Sequence, residues 1–459
     1  MRTAAMIARG LSRERRVFQA MNPVDVHTRV TKSQSDDAAG GRGRRLRILV
    51  YAINFHPEPV GTGKYTTEMC EALVAAGHEV RVLAARPWYP TRSLYEGEAT
   101  WREPHWKGIR IYRAPIWSPR RSSGPRRIAM AASFVMASLP QLAALVPWRP
   151  DVVWTVEPSL LGAPFAWLLA RLCGARCWLH VQDFEVDAAF ELGILRSPIA
   201  RGLALRVERL ILGRFDILSS ISPQMVERLT AKGVPAARIT DFPNWVDVEA
   251  IAPLAAPSSY RAQLGISRET FVALYSGSIG AKQGIEVIAS AALALGQDPT
   301  MHFVVCGEGS GLGALREAAA GLDNITWLSL QPADRMRELM GLADVHLLPQ
   351  RADAADLVLP SKLLGMLASG RPVIAGARHG THLAQIVEGR GLVVEPEDGA
   401  ALARAIRTLA ADPAQRARMG ERGRELAVKR FSARAVLGAF LERLEALDSP
   451  ISLQRMGRG

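Results

Sequence analysis

Hydrophobic positions along the chain fall into short unbroken runs that alternate with longer stretches of helical spacing. The first run, "RILVYAINF" from Arg47, is apolar over the length of one strand, as a strand covered on both faces of a parallel sheet would be. A glycine-containing loop follows, then "KYTTEMCEALVAAGHEV", where apolar residues recur at helical spacing until Gly77 stops the helix. "VRVLAA" predicts the next strand. Strand, loop, helix and strand in that order form a right-handed crossover unit, the opening of a doubly wound α/β sheet. "PDVVWTVEP", "ARCWLHVQDFE" and "DILSSISP" predict further buried strands.

A second cycle begins at "FVALYSGSIG" and runs through "GIEVIASAALAL", "MHFVVCGEG", "ITWLSL", "DVHLLPQ", "RPVIAG" and "GLVVEP". The Pro-rich "FPNWVDVEAIAPLAAPSSY" separates the two arrays. The pattern predicts two Rossmann-like doubly wound domains facing across a cleft, residues 46–245 and 269–430, with a linker over 246–268. A C-terminal helix and tail over 431–459 include "ARAVLGAFLERLEAL", which is expected to pack back across the boundary. Residues 1–45 show no sustained apolar period and read as a disordered basic extension.

Charge changes this picture little. Of the net +13, residues 1–47 supply seven, with eleven Lys/Arg against four Asp/Glu. The folded remainder is only mildly basic and shows no aromatic-basic module, so no nucleic-acid partner is expected. No apolar stretch of signal-peptide type follows the early arginines, and a start at Met21 or later is an open reading. The expected compartment is the cytoplasm. Four scattered cysteines, with only Cys173 and Cys177 close and no zinc spacing, read as buried thiols.

Two stretches bear on membranes. "RRSSGPRRIAMAASFVMASLPQLAALVPW" has the length of a spanning helix, but Ser133, Ser138, Pro140 and Gln141 weaken its hydrophobicity and favour a half-buried domain helix. "ARGLALRVERLILGR" interleaves Arg201, Arg206, Arg209 and Arg214 with Leu and Ile. It reads either as a basic amphipathic helix suited to an anionic membrane surface or as an ordinary core helix.

Candidate chemistry starts at "EPVGTGKYTTEM". The stretch nearly spells a triphosphate-binding loop, but Glu58 replaces the first Gly and Tyr65 the Ser or Thr that would hold magnesium. Gly61 and Gly63 instead allow backbone N–H groups to approach an anionic or sugar ligand where the helix begins. "SGSIGAKQG" places a Gly-rich turn between strand and helix, with Lys282 beside phosphate-binding amides.

The order of "ILVYAINFHPEPVGTGKYTTEM", "LHVQDFEVDA", "FPNWVD", "YSGSIGAKQGIE" and "LVLPSKLLGMLASGRPVI" resembles glycosyltransferase family 4, which has the GT-B architecture. Within it the chain is most similar to exopolysaccharide enzymes of the colanic acid fucosyltransferase type. The resemblance implies donor contacts at Gly61, Gly63, Gly277, Ser278, Gln283, Ser361, Lys362 and Leu363, with Lys282 in a catalytic role. Ser278 stands where the family has Arg, and Gln283 where it has Lys. Lys362 is expected to supply the missing charge. Neither family Glu is present, since Leu357 and Gly365 occupy those positions; Asp356 adjoins the first, and Glu308 is the expected substitute for the ribose contact.

The resemblance also places His180 against the donor sugar and leaves Asp183 as base or orienter for the acceptor hydroxyl. Asp183, Glu185 and Asp187 alternate, which suits a metal only in an extended strand, and the GT-B resemblance implies no metal and no cofactor beyond the donor. The implied reaction is retaining transfer from a nucleotide sugar, with GDP-fucose suggested, to a lipid-linked saccharide acceptor. Its implied location is peripheral, on the inner membrane. Two rival readings stand: a sugar-nucleotide epimerase of the same fold, and a degenerate transferase serving as a partner subunit.

Overall fold

The computed structural model describes residues 44–58, 61–89, 95, 102–119, 124–191, 197–280, 283–352 and 359–447. Lys282, Asp356, Leu357 and nearly all of the basic extension lie outside the described residues. The described chain forms two compact units. One contains the chain up to Pro243 together with the C-terminal residues from Leu437, and the other Asn244–Val436.

The first unit is built on eight strands: β1 (Arg47–Ala52), β2 (Glu79–Ala85), β3 (His105–Trp106), β4 (Ile109–Ala114), β5 (Val152–Glu157), β6 (Arg176–Val181), β7 (Ile217–Ser220) and β8 (Ile239–Asp241). Their order is β3-β4-β2-β1-β5-β6-β7-β8, parallel except for β3 against β4. Central β1 pairs Val50 with Val82 on one side and Trp154 on the other, and everything after Arg47 in it is buried. That is why its sequence is unbroken rather than alternating. The β3–β4 hairpin is not among the strands read from sequence. Its arms are short, the second interleaved with Arg110 and Arg113, and Lys107 and Gly108 turn it with φ of 43° and 81°.

The long apolar helix Gly124–Leu145 belongs to this unit. By length and composition it is apolar enough to cross a membrane, yet it buries Phe134, Val135, Leu142 and Leu145 in the protein. Ser138, one of the residues that weakened its hydrophobicity, lies 2.7 Å from the Tyr51 hydroxyl of β1 and fastens the helix to the sheet.

The second unit has six parallel strands: β9 (Phe271–Ser276), β10 (Met301–Cys306), β11 (Ile325–Leu328), β12 (Val345–Leu348), β13 (Val373–Gly376) and β14 (Gly391–Val394). The order β11-β10-β9-β12-β13-β14 reverses between β9 and β12, the place where such sheets bind ligands at their carboxyl edge.

Candidate active site

The reversal in the second unit gathers most of the expected donor residues. β9 runs into Gly277 at φ +133°, and the turn is laced to the end of β10: Gly277 N–H donates to the Cys306 carbonyl at 3.0 Å and Ile279 N–H to the Glu308 carbonyl at 2.8 Å. The two chains run so close that a Cβ on Gly307 would lie 2.0 Å from the Gly277 oxygen, and one on Gly309 2.1 Å from the Ile279 oxygen. Only glycine fits at either position. Gln283 closes the loop, its Oε1 accepting from Gly280 N–H at 3.0 Å. Glu308 is exposed at this edge and joins the turn through its main chain.

Lys362 comes from the helix Ser361–Ala368, which follows β12. Its Nζ donates to the Tyr275 hydroxyl at 3.3 Å, and that hydroxyl donates to the Ser278 carbonyl. A Cβ on Gly277 would lie 3.4 Å from Lys362 Cδ, so the lysine stem runs directly over the glycine turn. Burial pushes the Lys362 ammonium down to about 8. A cation thus stands beside Ser278, where the resemblance had left one missing. Ser361 is exposed at the helix start, whereas the Leu363 side chain is fully buried in the core and its N–H bonds to the Pro360 carbonyl.

In the first unit the helix Gly61–Ala75 begins at Gly61 itself, so the two glycines form its first turn rather than a loop ahead of it. Gly61 has φ +61°, and a Cβ on Gly63 would lie 3.0 Å from Glu58 Cβ and 3.1 Å from its carbonyl oxygen. Gly63 is therefore required by its own chain. Glu58, read from sequence only as a departure from the triphosphate-loop pattern, is buried; it accepts from Asn54 Nδ2 at 2.7 Å and from Trp88 and Tyr89 N–H at 2.9 and 3.0 Å. Burial pushes its carboxyl up to about 7 against these bonds. No spacing rule marks an acid that bonds to main chain thirty residues away.

His180 lies near the end of β6 and is only 3% exposed. Its ring stacks on Trp154 with centroids 5.4 Å apart and meets Phe242 edge-on at 5.1 Å. Trp178 Nε1–H donates to Ser219 Oγ at 2.8 Å, and Ser219 Oγ lies 2.9 Å from His180 Nδ1. The Ser219 hydroxyl thus links the indole to the imidazole and fixes the ring's orientation from its Nδ1 side. Burial holds this imidazole neutral, its pKa lowered to about 3. His180 can orient a hydroxyl but does not carry charge at neutral pH.

The alternating acids part company. Glu185 Oε2 accepts from Leu160 N–H at 2.7 Å, and Asp187 pairs with Arg228 at 3.0 Å and Lys232 at 3.1 Å. Asp183 is exposed in the turn ahead of the helix Glu185–Glu191. Behind them Glu157, which sequence reading passed over, is wholly buried at the end of β5 and accepts from Glu185 N–H at 3.0 Å. Burial, then the neighbouring Glu185 charge, pushes its pKa well above the carboxylate range.

Comparison with known proteins bears on both units. The family described as "Glycosyl transferase 4-like domain" matches residues 60–245, and "Glycosyl transferases group 1" matches residues 258–426. WcaI of Escherichia coli (strain K12), named as a colanic acid biosynthesis glycosyl transferase, is 39% identical over 79% of this chain and 91% of its own length. The chain belongs to the family 4 glycosyltransferases. A mannosyltransferase of Mycolicibacterium smegmatis, named as GDP-mannose-dependent and acting on a phosphatidylinositol monomannoside, is 26% identical over 73% of this chain and 87% of its own. Among solved structures, sucrose-phosphate synthase from Thermosynechococcus elongatus matches with a TM-score of 0.67 at 23% identity, covering 88% of this chain and all of that one. Anabaena HepE in complex with UDP and glucose matches at 0.62 with 16% identity, covering 87% of this chain and all of that one. The architecture is GT-B, and the doubly wound sheets expected from the apolar runs are present in both units.

Proposed function

We propose that this glycosyltransferase moves a sugar, fucose in our reading, from a nucleoside diphosphate to a hydroxyl of a lipid-linked oligosaccharide during exopolysaccharide synthesis, with retention and without a metal. The observation that carries the donor half is Lys362 lying over the Gly277 turn at the β9/β12 reversal. A half-buried cation held over the glycine turn is what a leaving diphosphate needs, because charge that develops there meets a fixed partner. The leaving β-phosphate then deprotonates the acceptor hydroxyl on the same face. Asp183 orients that hydroxyl, and neutral His180 contributes a hydrogen bond rather than a charge. The exopolysaccharide role, the lipid acceptor and the nucleotide donor draw support from the names of the Escherichia coli and mycobacterial relatives and from the UDP bound by HepE.

We further propose that the enzyme works on an anionic membrane surface. The helix Pro198–Leu212 buries Leu212 in the core but carries a second apolar stripe on its outer side: Ile199 is 85% exposed, Leu203 62% and Leu210 66%, and the charged Arg201, Arg206 and Arg209 are exposed with them. Its one acid, Glu208, is buried on Lys232. The outer stripe is more apolar surface than a core helix needs to expose, and it lies beside the arginines as docking on anionic lipid requires.

The test of the donor reading is a thermal-shift panel of nucleoside diphosphates and their sugars. A ligand at a hundred times its Kd adds about 2.7 kcal/mol of stability. A shift with GDP and GDP-fucose, reduced in Lys362→Ala, supports the reading. No shift with any nucleotide rejects it in favour of the degenerate-partner reading.

A further inference from the structure

We propose that Tyr89 is the stacking residue of a saccharide subsite beside Gly61, and that Glu58 is the residue that positions it. This deepens the transferase reading above by assigning part of the acceptor site in the first unit.

Tyr89 is 41% exposed, and its ring Cε1 would lie 3.9 Å from a Cβ on Gly61. A single exposed aromatic is ordinary. Its anchorage is not. Both N–H groups entering the residue, those of Trp88 and Tyr89, donate to one oxygen of Glu58. The Tyr89 carbonyl accepts from the Tyr95 hydroxyl, and the Trp88 indole meets the Tyr89 ring edge-on with centroids 5.7 Å apart. The main chain on both sides of an exposed ring is thus fixed from inside the protein.

The anchor is a costly one. A carboxyl group taken out of water loses hydration that hydrogen bonds only partly restore. Glu58 is 3% exposed, and its second oxygen is held by Asn54, whose own Oδ1 accepts from Thr62 of the helix start at 3.3 Å. Strand end, first helical turn and the 88–89 main chain are therefore one network. Its product at the surface is an aromatic face with a glycine next to it.

That combination suits a pyranose ring. An aromatic face carries negative potential, and the C–H groups along one face of a sugar carry weak positive charge. The phenolic hydroxyl both donates and accepts, matching the sugar hydroxyls around those C–H groups. Gly61, lacking a side chain, leaves its backbone open to the same ligand.

The experiment titrates the full chain with octyl glucoside, octyl galactoside and octyl fucoside below their micelle concentrations, reading affinity and saturation transfer to the sugar C–H protons by NMR. Nucleoside-diphosphate melting shifts are run in parallel. At least one glycoside is expected to bind with transfer to its ring protons. Tyr89→Ala should weaken that binding about tenfold, the equivalent of one stacked ring, and Tyr89→Phe should retain most of it. Glu58→Ala should weaken it similarly, and the double variant no further than either single one. Glu58→Gln, which keeps an acceptor for both N–H groups, should restore it. In all four single variants the nucleotide shift should persist.

Unaltered glycoside binding in Tyr89→Ala, or no glycoside binding to the native chain while nucleotides still shift its melting, overturns the subsite and leaves the transferase reading standing. Loss of the nucleotide shift from the native chain as well overturns both. Additive losses in the double variant overturn the positioning role of Glu58.

Discussion

Lys362 Nζ sits 3.3 Å from the Tyr275 hydroxyl and 4.4 Å from the centre of that ring, with the stem of the lysine against Gly277. The ring face steadies the cation, but burial still holds its pKa at about 8 rather than 10.5. Much of the free enzyme therefore carries a neutral amine in mildly alkaline solution. A diphosphate beside it favours the ammonium form and raises that pKa again.

Nucleoside-diphosphate binding at about pH 8.5 is accordingly expected to take up a proton, and affinity should fall as pH rises further. Calorimetry in two buffers of different ionisation enthalpy measures the uptake. Lys362→Ala should abolish it and weaken binding by roughly 1.5–3 kcal/mol, the range for a hydrogen bond to a charged group. Proton-neutral binding in the native chain would remove Lys362 from the diphosphate site.

How much of this was legible follows from the range of the interactions. Strands β9 to β14 were readable one by one from their apolar runs, and β9, β12 and β13, buried on both faces, are largely apolar for that reason. The glycine turn at Gly277 and the helix start at Lys362 were readable as motifs, and their meeting required the β9/β12 reversal, which no local pattern states. Glu58, Glu157 and Tyr275 were missed for one reason: each gains its meaning from partners distant in sequence or from burial, and neither leaves a spacing. Gly63 was read as serving a ligand because its clash with Glu58 exists only once the chain has folded. The helix Pro198–Leu212 left two readings open, since an amphipathic period does not say which face the protein covers.

Glu58 gives a second prediction, on stability. Its carboxyl rises from 4.5 to about 7 on folding, through burial, with the Asn54, Trp88 and Tyr89 bonds and the Arg113 charge opposing. Arg113 is the cation acting on it, and nearby His56 stays neutral with a pKa of about 3. The folded chain thus binds a proton more tightly than the unfolded one, so this group destabilises the fold as pH rises from 4.5 to 7, with no further change above. The full effect is about 3 kcal/mol. Glu58→Gln lacks it. Urea unfolding across that interval should show the native chain losing stability relative to the variant by an amount of that order; parallel curves would place Glu58 ionised and unstrained.

The exposed face of Pro198–Leu212 gives the third. If it docks on anionic lipid, Leu203→Glu and Leu210→Glu remove apolar contact and add repulsion at the same point. Both side chains are more than half exposed, so stability should change by no more than about 0.5 kcal/mol. Cosedimentation with phosphatidylglycerol vesicles should fall sharply in both, and binding of the native chain should weaken with salt as screening grows. Replacing Arg201, Arg206 or Arg209 by Gln should each remove around 1 kcal/mol of vesicle affinity. Phosphatidylcholine vesicles, which lack the anionic charge, should bind the native chain weakly. Undiminished vesicle binding in the Leu→Glu variants would reject this face as the docking surface, and loss of a dimer in those variants, seen by light scattering, would give it to a second copy of the chain instead.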